Sequence, residues 1–126
     1  MIDVIIYNHM VVFNERDSDD LDQLFHALAN RTRRDIVARV LGGEVAPISV
    51  LADRYEMSFA AVQKHVAVLE DAGLVTKRRS GRKRIVYGNP ERLGEARQLL
   101  AELEELWHAR FSQIDAVLDD PTTNEE

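Results

Sequence analysis

The stretch MSFAAVQKHVAVLEDAGLVTKRRSGRKRIVY, residues 57–87, constrains the fold of this chain more than any other. Its first half is punctuated as one helix. Ser58 is a good N-cap, Val62, Val66 and Leu69 recur at helical spacing, and Gly73 can supply the left-handed residue that ends the helix. The second half reads as a hairpin: Leu74 to Arg79 and Arg82 to Gly88 are rich in β-branched and long side chains. They are joined across Ser80-Gly81, where glycine permits a positive φ. Six of the eight residues 77–84 are basic. A helix followed at once by a cationic hairpin has the layout of a winged helix-turn-helix, with one part for a DNA groove and the other for the phosphates beside it.

The net charge of −6 argues at first sight against a polyanion as partner, but its distribution reverses that inference. Residues 1–30 carry −5, residues 31–84 carry +6 and residues 85–126 carry −7. A basic middle between acidic flanks presents one sign of charge to a ligand while the ends limit non-specific adhesion. At 126 residues a single domain is expected, with a core that needs no covalent staples. The chain has no cysteine, which excludes disulfides, thiolate metal sites and thiol redox switching. The apolar start, Ile2 to Ile6, is too short for a membrane span and lacks a basic leader, so a cytoplasmic protein with no membrane partner is expected.

Residues 1–17 read as an arm or strand of uncertain role, whose apolar residues fit no clear period, and Met10 is a second candidate for the start. Ser18 to Asp22 places a capping residue and three aspartates at the positive end of a helix, and Leu21, Leu24, Phe25 and Leu28 form its apolar stripe. Asn30 caps the next helix, with Ile36, Val37, Val40 and Leu41 facing a core and Gly42-Gly43 as its stop. Arg31, Arg33 and Arg34 in its first turn oppose the helix dipole, so an ion pair or a phosphate is expected to offset them. From Pro47 a short extended piece leads into a two-turn helix with Leu51, Ala52 and Tyr55 inward, the positioning half of a helix-turn-helix.

With Val62, Val66 and Leu69 inside, Ser58, Phe59, Ala60, Ala61, Gln63, Lys64 and His65 remain near the exposed N-terminal end of the second helix, the end aimed at base edges. Gln63 is the candidate for base readout, because its amide can pair bidentately with adenine; Ala60 or Ala61 can touch a thymine methyl. Ser58, Lys64 and the first-turn amides suit phosphate. His65 suits either a DNA contact or a role in orienting the helix. Lys77, Arg78, Arg79, Arg82, Lys83 and Arg84 are the candidate grips on phosphates or the minor groove.

These segments, LANRTRRDIVARVL and LADRYEMSFAAVQKHVAVLEDAGLVTKRRSGRKRIVYGNPERL, resemble the ArsR family of winged helix-turn-helix repressors. The shared features are a capped helix carrying Thr-Arg-Arg, a Leu-Ala helix, a Ser-x-x-x-Val-x-Lys-His recognition helix, Val-Leu-x-x-Ala-Gly-Leu-Val and a Gly-Arg wing, across about residues 21–118. The resemblance implies a homodimer in the cytoplasm of a bacterium or archaeon. Such a dimer represses transcription from a palindromic operator and often releases it when a small-molecule inducer binds. The chain departs from the family's thiolate metal sensors, since Pro47 and Ser49 stand where they carry a Cys-x-Cys pair. The last helix offers Glu104, Glu105, His108 and Asp115, with one histidine where zinc needs about four ligands, so no metal or cofactor is expected.

From Glu91 to Leu118 apolar residues recur at steps of three and four: Ala96, Leu100, Leu103, Trp107, Phe111, Ile114 and Leu118, widened by Leu93, Leu99, Leu106 and Val117. Such a helix is too long for this small core to cover, so a partner helix from a second subunit is expected. The interface would then include Leu21, Leu24, Phe25, Leu100, Leu103, Trp107, Phe111, Ile114 and Leu118. Residues 119–126 read as a disordered acidic tail. The expected fold is mainly α with a small β-hairpin, in one DNA-binding and dimerisation unit over residues 18–118, with double-stranded DNA and a second copy as partners. The alternatives are a protein-interaction module whose basic wing meets an acidic partner, and a metal-responsive repressor using the last helix. No nucleophile triad, phosphate-binding glycine loop or paired histidines suggests an enzyme.

Overall fold

The computed structural model describes residues 4–7, 10–13 and 15–118, with side chains from Asp19 onward except at 115, 116 and 118. In chain order the elements are β1 (Val4–Tyr7), β2 (Met10–Phe13), α1 (Glu15–Leu28), α2 (Arg31–Leu41), β3 (Ala46–Pro47), α3 (Ile48–Ala52), α4 (Phe59–Asp71), β4 (Val75–Ser80), β5 (Lys83–Gly88) and α5 (Pro90–Leu118). The N-terminal arm is a hairpin, β1 pairing antiparallel with β2 from Val4 opposite Phe13 to Tyr7 opposite Met10. The acidic tail, residues 119–126, and the side chain of Leu118 lie outside the described residues.

The helices α2 and α4 are bounded by the chemistry their sequences carry. Asn30 Oδ1 accepts from the Arg33 N–H at 3.0 Å, and Ser58 Oγ accepts from the Ala61 N–H at 3.1 Å. Both close in the same motif. Gly43 and Gly73 take positive φ, and the next residues, Glu44 and Leu74, donate back to the carbonyls of Arg39 and Leu69. α1 begins at Glu15, three residues before the expected cap at Ser18. α3 is shorter than two turns. The N–H groups of Asp53, Arg54 and Tyr55 bond to carbonyls three residues back, tightening the chain beyond Ala52.

The core is a contiguous cluster in which Leu24, Ile36, Leu51, Val62, Val66, Leu69, Leu74, Val75 and Val86 are fully buried. It draws on α1, α2, α3, α4 and the sheet, and each such side chain adds about 1.5–3 kcal/mol of transfer free energy. Two expectations are corrected here. Leu21 and Leu24, assigned to a subunit interface, are buried inside this protomer's own core, because α1 packs against α2 and α4. Leu41, expected inward, is at the surface over Gly88, where an added Cβ would stand 2.6 Å from the Leu41 side chain.

The sheet has three strands in the order β3-β5-β4, one more than the expected hairpin. Ala46 and Pro47 pair with Val86 and Ile85 on the edge, where proline's missing N–H costs nothing. The hairpin turn lies one residue later than expected, at Gly81-Arg82, since Ser80 pairs with Lys83 and Gly81 takes φ +64°. Arg92 knits the ends of the domain together. Its buried guanidinium donates to the Ala72 carbonyl at 2.7 Å and to the Asp20 carbonyl at 2.9 Å, and pairs with the Asp20 and Glu95 carboxylates.

Candidate nucleic-acid interface

Burial of Val62, Val66 and Leu69 fixes how α4 is rolled on the core, and therefore which side chains it offers to a ligand. Phe59, Ala60, Gln63 and Lys64 are exposed along its first two turns, with Ser58 exposed at the cap; Ala61 and His65 are half-buried. α3 packs against α4 from behind, as the positioning helix of a helix-turn-helix does. The two-residue turn folds β5 back so that Arg82, Lys83 and Arg84 line one cleft of about 270 Å³ together with Phe59 and Gln63 of α4 and Pro47, Ile48 and Ser49. Helix and wing, separate in the sequence, thus present their cations and their polar and aromatic groups to one volume.

The six wing cations do not act alike. Arg79 and Arg84 are cross-strand partners on one face of the hairpin, and with Lys77 and Glu70 they line a second, smaller cleft of about 200 Å³. Lys77 is half-buried and pairs with Glu70 at 3.2 Å, so its charge is already met within the protomer. Arg78 lies on the opposite face, its guanidinium 5.2 Å from the centre of the Tyr87 ring.

His65 turns inward rather than outward. Its Nδ1 lies 3.3 Å from a guanidinium nitrogen of Arg33, an acceptor position that leaves the ring proton on Nε2. Burial, and secondarily the Arg33 charge, hold the imidazole below the usual histidine range. Among the α2 arginines, Arg33 and Arg34 find backbone acceptors instead of the expected ion pair. Arg33 donates to the carbonyls of Ala27 at 2.8 Å and His26 at 3.0 Å, and Arg34 donates to Leu28 at 2.9 Å. These carbonyls lie at the C-terminal, negative end of α1, and the His26 oxygen is shared with the Ala29 N–H. The short Ala29-Asn30 link, which brings the first turn of α2 beside the last turn of α1, is the sequence signal for it.

A polar cluster braces α2 against the segment after α3. The Tyr55 hydroxyl donates to Asp35 Oδ2 at 2.6 Å and Arg39 Nε donates to the same oxygen at 2.9 Å, which together lower the Asp35 carboxyl below its ordinary range. Burial and the Asp35 charge push the Tyr55 phenol up to about 12. Arg54 pairs with Glu44 at 2.7 Å and lowers that carboxyl in turn. The sequence gives no hint of the Asp35–Tyr55 or Arg92–Asp20 contacts, which join residues 20 and 72 positions apart.

The 29 residues of α5 span about 43 Å, and only the first turns dock, through Arg92, Leu93, Ala96 and Leu99. Beyond them Leu100, Leu103, Trp107, Phe111 and Ile114 are exposed, with the Trp107 and Phe111 rings 6.3 Å apart. Phe25 of α1 is half-buried against the core. Among the described residues no group of three or more His, Asp or Glu side chains is placed to hold a metal ion, and no helix is long and apolar enough to cross a membrane.

The family model of the helix-turn-helix domain matches residues 28–78, the stretch from the end of α1 into β4. The HTH-type transcriptional regulator Rv2034 of Mycobacterium tuberculosis is 36% identical over 98 residues, 78% of this chain and 88% of that protein. A crystal structure of an ArsR family transcriptional regulator superposes with a TM-score of 0.68 at 34% identity, covering 72% of this chain and 93% of the other. The homodimeric winged helix-turn-helix DNA-binding domain of a possible ArsR-family regulator from Mycobacterium bovis superposes with a TM-score of 0.58 at 25% identity, over 75% of this chain and 92% of that one.

Proposed function

The chain belongs to the ArsR family of winged helix-turn-helix DNA-binding transcriptional regulators, and from that premise we propose that it is a homodimeric repressor that occupies a palindromic operator. The observation that carries this reading is the convergence of Arg82, Lys83 and Arg84 with Gln63 and Phe59 on one cleft, at the exposed N-terminal end of α4. Gln63 reads a base edge in the major groove. Ser58, Lys64 and the first-turn amides of α4 hold the phosphate beside it, and Arg78, Arg79, Arg82, Lys83 and Arg84 grip the flanking backbone or minor groove. His65 positions the helix through Arg33 rather than touching DNA, and Lys77 serves the wing through Glu70.

Residues 18–118 act as one DNA-binding and dimerisation unit. The uncovered stripe of Leu100, Leu103, Trp107, Phe111 and Ile114 pairs with its copy in a second subunit, which sets two recognition helices about one DNA turn apart. Repression follows from steric exclusion of polymerase in the cytoplasm. Neutralising Arg82 and Lys83 together removes up to four phosphate contacts from a dimer, and flattens the slope of log affinity against log salt by about 3 to 4. Gln63→Ala instead changes which sequence is preferred. Equal loss on specific and random duplex for Gln63→Ala contradicts its assigned role.

A further inference from the structure

Phe59 is the exposed large apolar side chain on the leading turn of α4, 47% exposed and lining one cleft with Gln63 and three cations of the wing. A phenyl ring there gains nothing from phosphate and nothing from water; it needs an apolar surface to bury. The major-groove edges of the four base pairs carry a single apolar group, the C5-methyl of thymine. Ala61 is half-buried, and the exposed methyl of Ala60 offers far less apolar surface than the phenyl ring beside it, so both are poorer candidates for that contact.

We propose that Phe59 is a specificity-determining residue that packs on a thymine methyl in each half of the operator. The inference rests on the operator reading above. Phe59 and Gln63 stand four residues apart on one helix face, about 6 Å along the axis, against about 3.4 Å per base step. The thymine therefore lies about two steps from the base that Gln63 reads.

The test is a uracil scan. Operators are first selected from random duplex with the full-length protein, and thymines are then replaced by deoxyuridine one symmetric pair at a time, removing only the methyl. One methyl carries about a fourfold effect, so one symmetric pair weakens wild-type binding about 15-fold, about two steps from the position whose preference Gln63→Ala relaxes. Phe59→Ala binds the thymine operator more weakly by a similar factor and is indifferent to uracil at that pair. Phe59→Leu retains part of the discrimination, and the scan with unaltered protein tests the contact even if a variant folds poorly. A flat scan for the wild type, or a Phe59→Ala protein as sensitive as wild type at that pair, overturns the assignment and leaves the operator reading standing. Selection that enriches no sequence overturns that reading, and this assignment with it.

Discussion

Replacing Arg92 by alanine removes the side chain that holds the N-terminal half of α1, the C-terminal end of α4 and the first turn of α5 in one place. The side chain is 10% exposed and its guanidinium donates to two backbone carbonyls, Ala72 at 2.7 Å and Asp20 at 2.9 Å. Hydrogen bonds from a charged donor are worth about 1.5–3 kcal/mol each, and truncation also leaves their acceptors short of a partner. The Asp20 carboxylate is more than half exposed, so its ion pair adds little in water. Allowing for some rehydration of the freed carbonyls, the loss is about 3 kcal/mol. With an unfolding entropy of about 2.1 cal/mol/K per residue, that lowers the melting temperature of a chain of 126 residues by about 10 °C. Thermal unfolding followed by circular dichroism, at one fixed protein concentration, reads this directly. Arg92→Lys keeps the charge but not the fork, and recovers less than half of the loss. An alanine variant melting within about 2 °C of wild type, or a lysine variant that restores everything, refutes the reasoning.

Other consequences follow from single residues. His65 is held below its usual pKa of about 6.5, so the unfolded chain takes up the proton more readily; stability is intact above that pH and lost as pH falls below it. His65→Gln therefore narrows the gap in melting temperature between about pH 7.5 and about pH 5.5, and an unchanged gap removes His65 as its source. Trp107→Glu puts a charge in the uncovered stripe of α5, where the side chain is exposed within the protomer, so sedimentation shows a folded monomer; an undisturbed dimer mass moves the interface elsewhere. Gly73→Ala forces a Cβ into φ +78° and against Arg92 at 3.4 Å, costing about 1–2 kcal/mol in denaturant melts, and a neutral result shows that the α4 terminus relaxes freely.

What was legible in the sequence was whatever local chemistry decides. The caps at Asn30 and Ser58, the glycine stop at Gly73 and the Val62-Val66-Leu69 stripe each depend on neighbours within a few residues, and each stands as read. The wing's charge was equally plain, because consecutive residues carry it. Long-range geometry was not. Leu21 and Leu24 have the pattern of any buried helix face, and whether a protomer or a partner covers them depends on how α1 packs. The extended piece at Pro47 is legible but not its pairing with β5, and a one-residue slip in the wing turn follows from pairing rather than composition. Arg33 reads as needing an ion pair or a phosphate and Lys77 as a grip on phosphate; only the fold shows that these two, and Arg92, are bound within the protomer.

The most direct test of the account is binding of the purified protein to duplex carrying its own upstream sequence, against scrambled duplex, across a salt series with the mass of the free protein measured in parallel. A repressor of this kind is a dimer with a marked preference for a palindrome and a log–log salt slope of about −5 or steeper, as several wing cations per subunit release counterions. Equal, weak binding to every duplex by a monomer contradicts that reading.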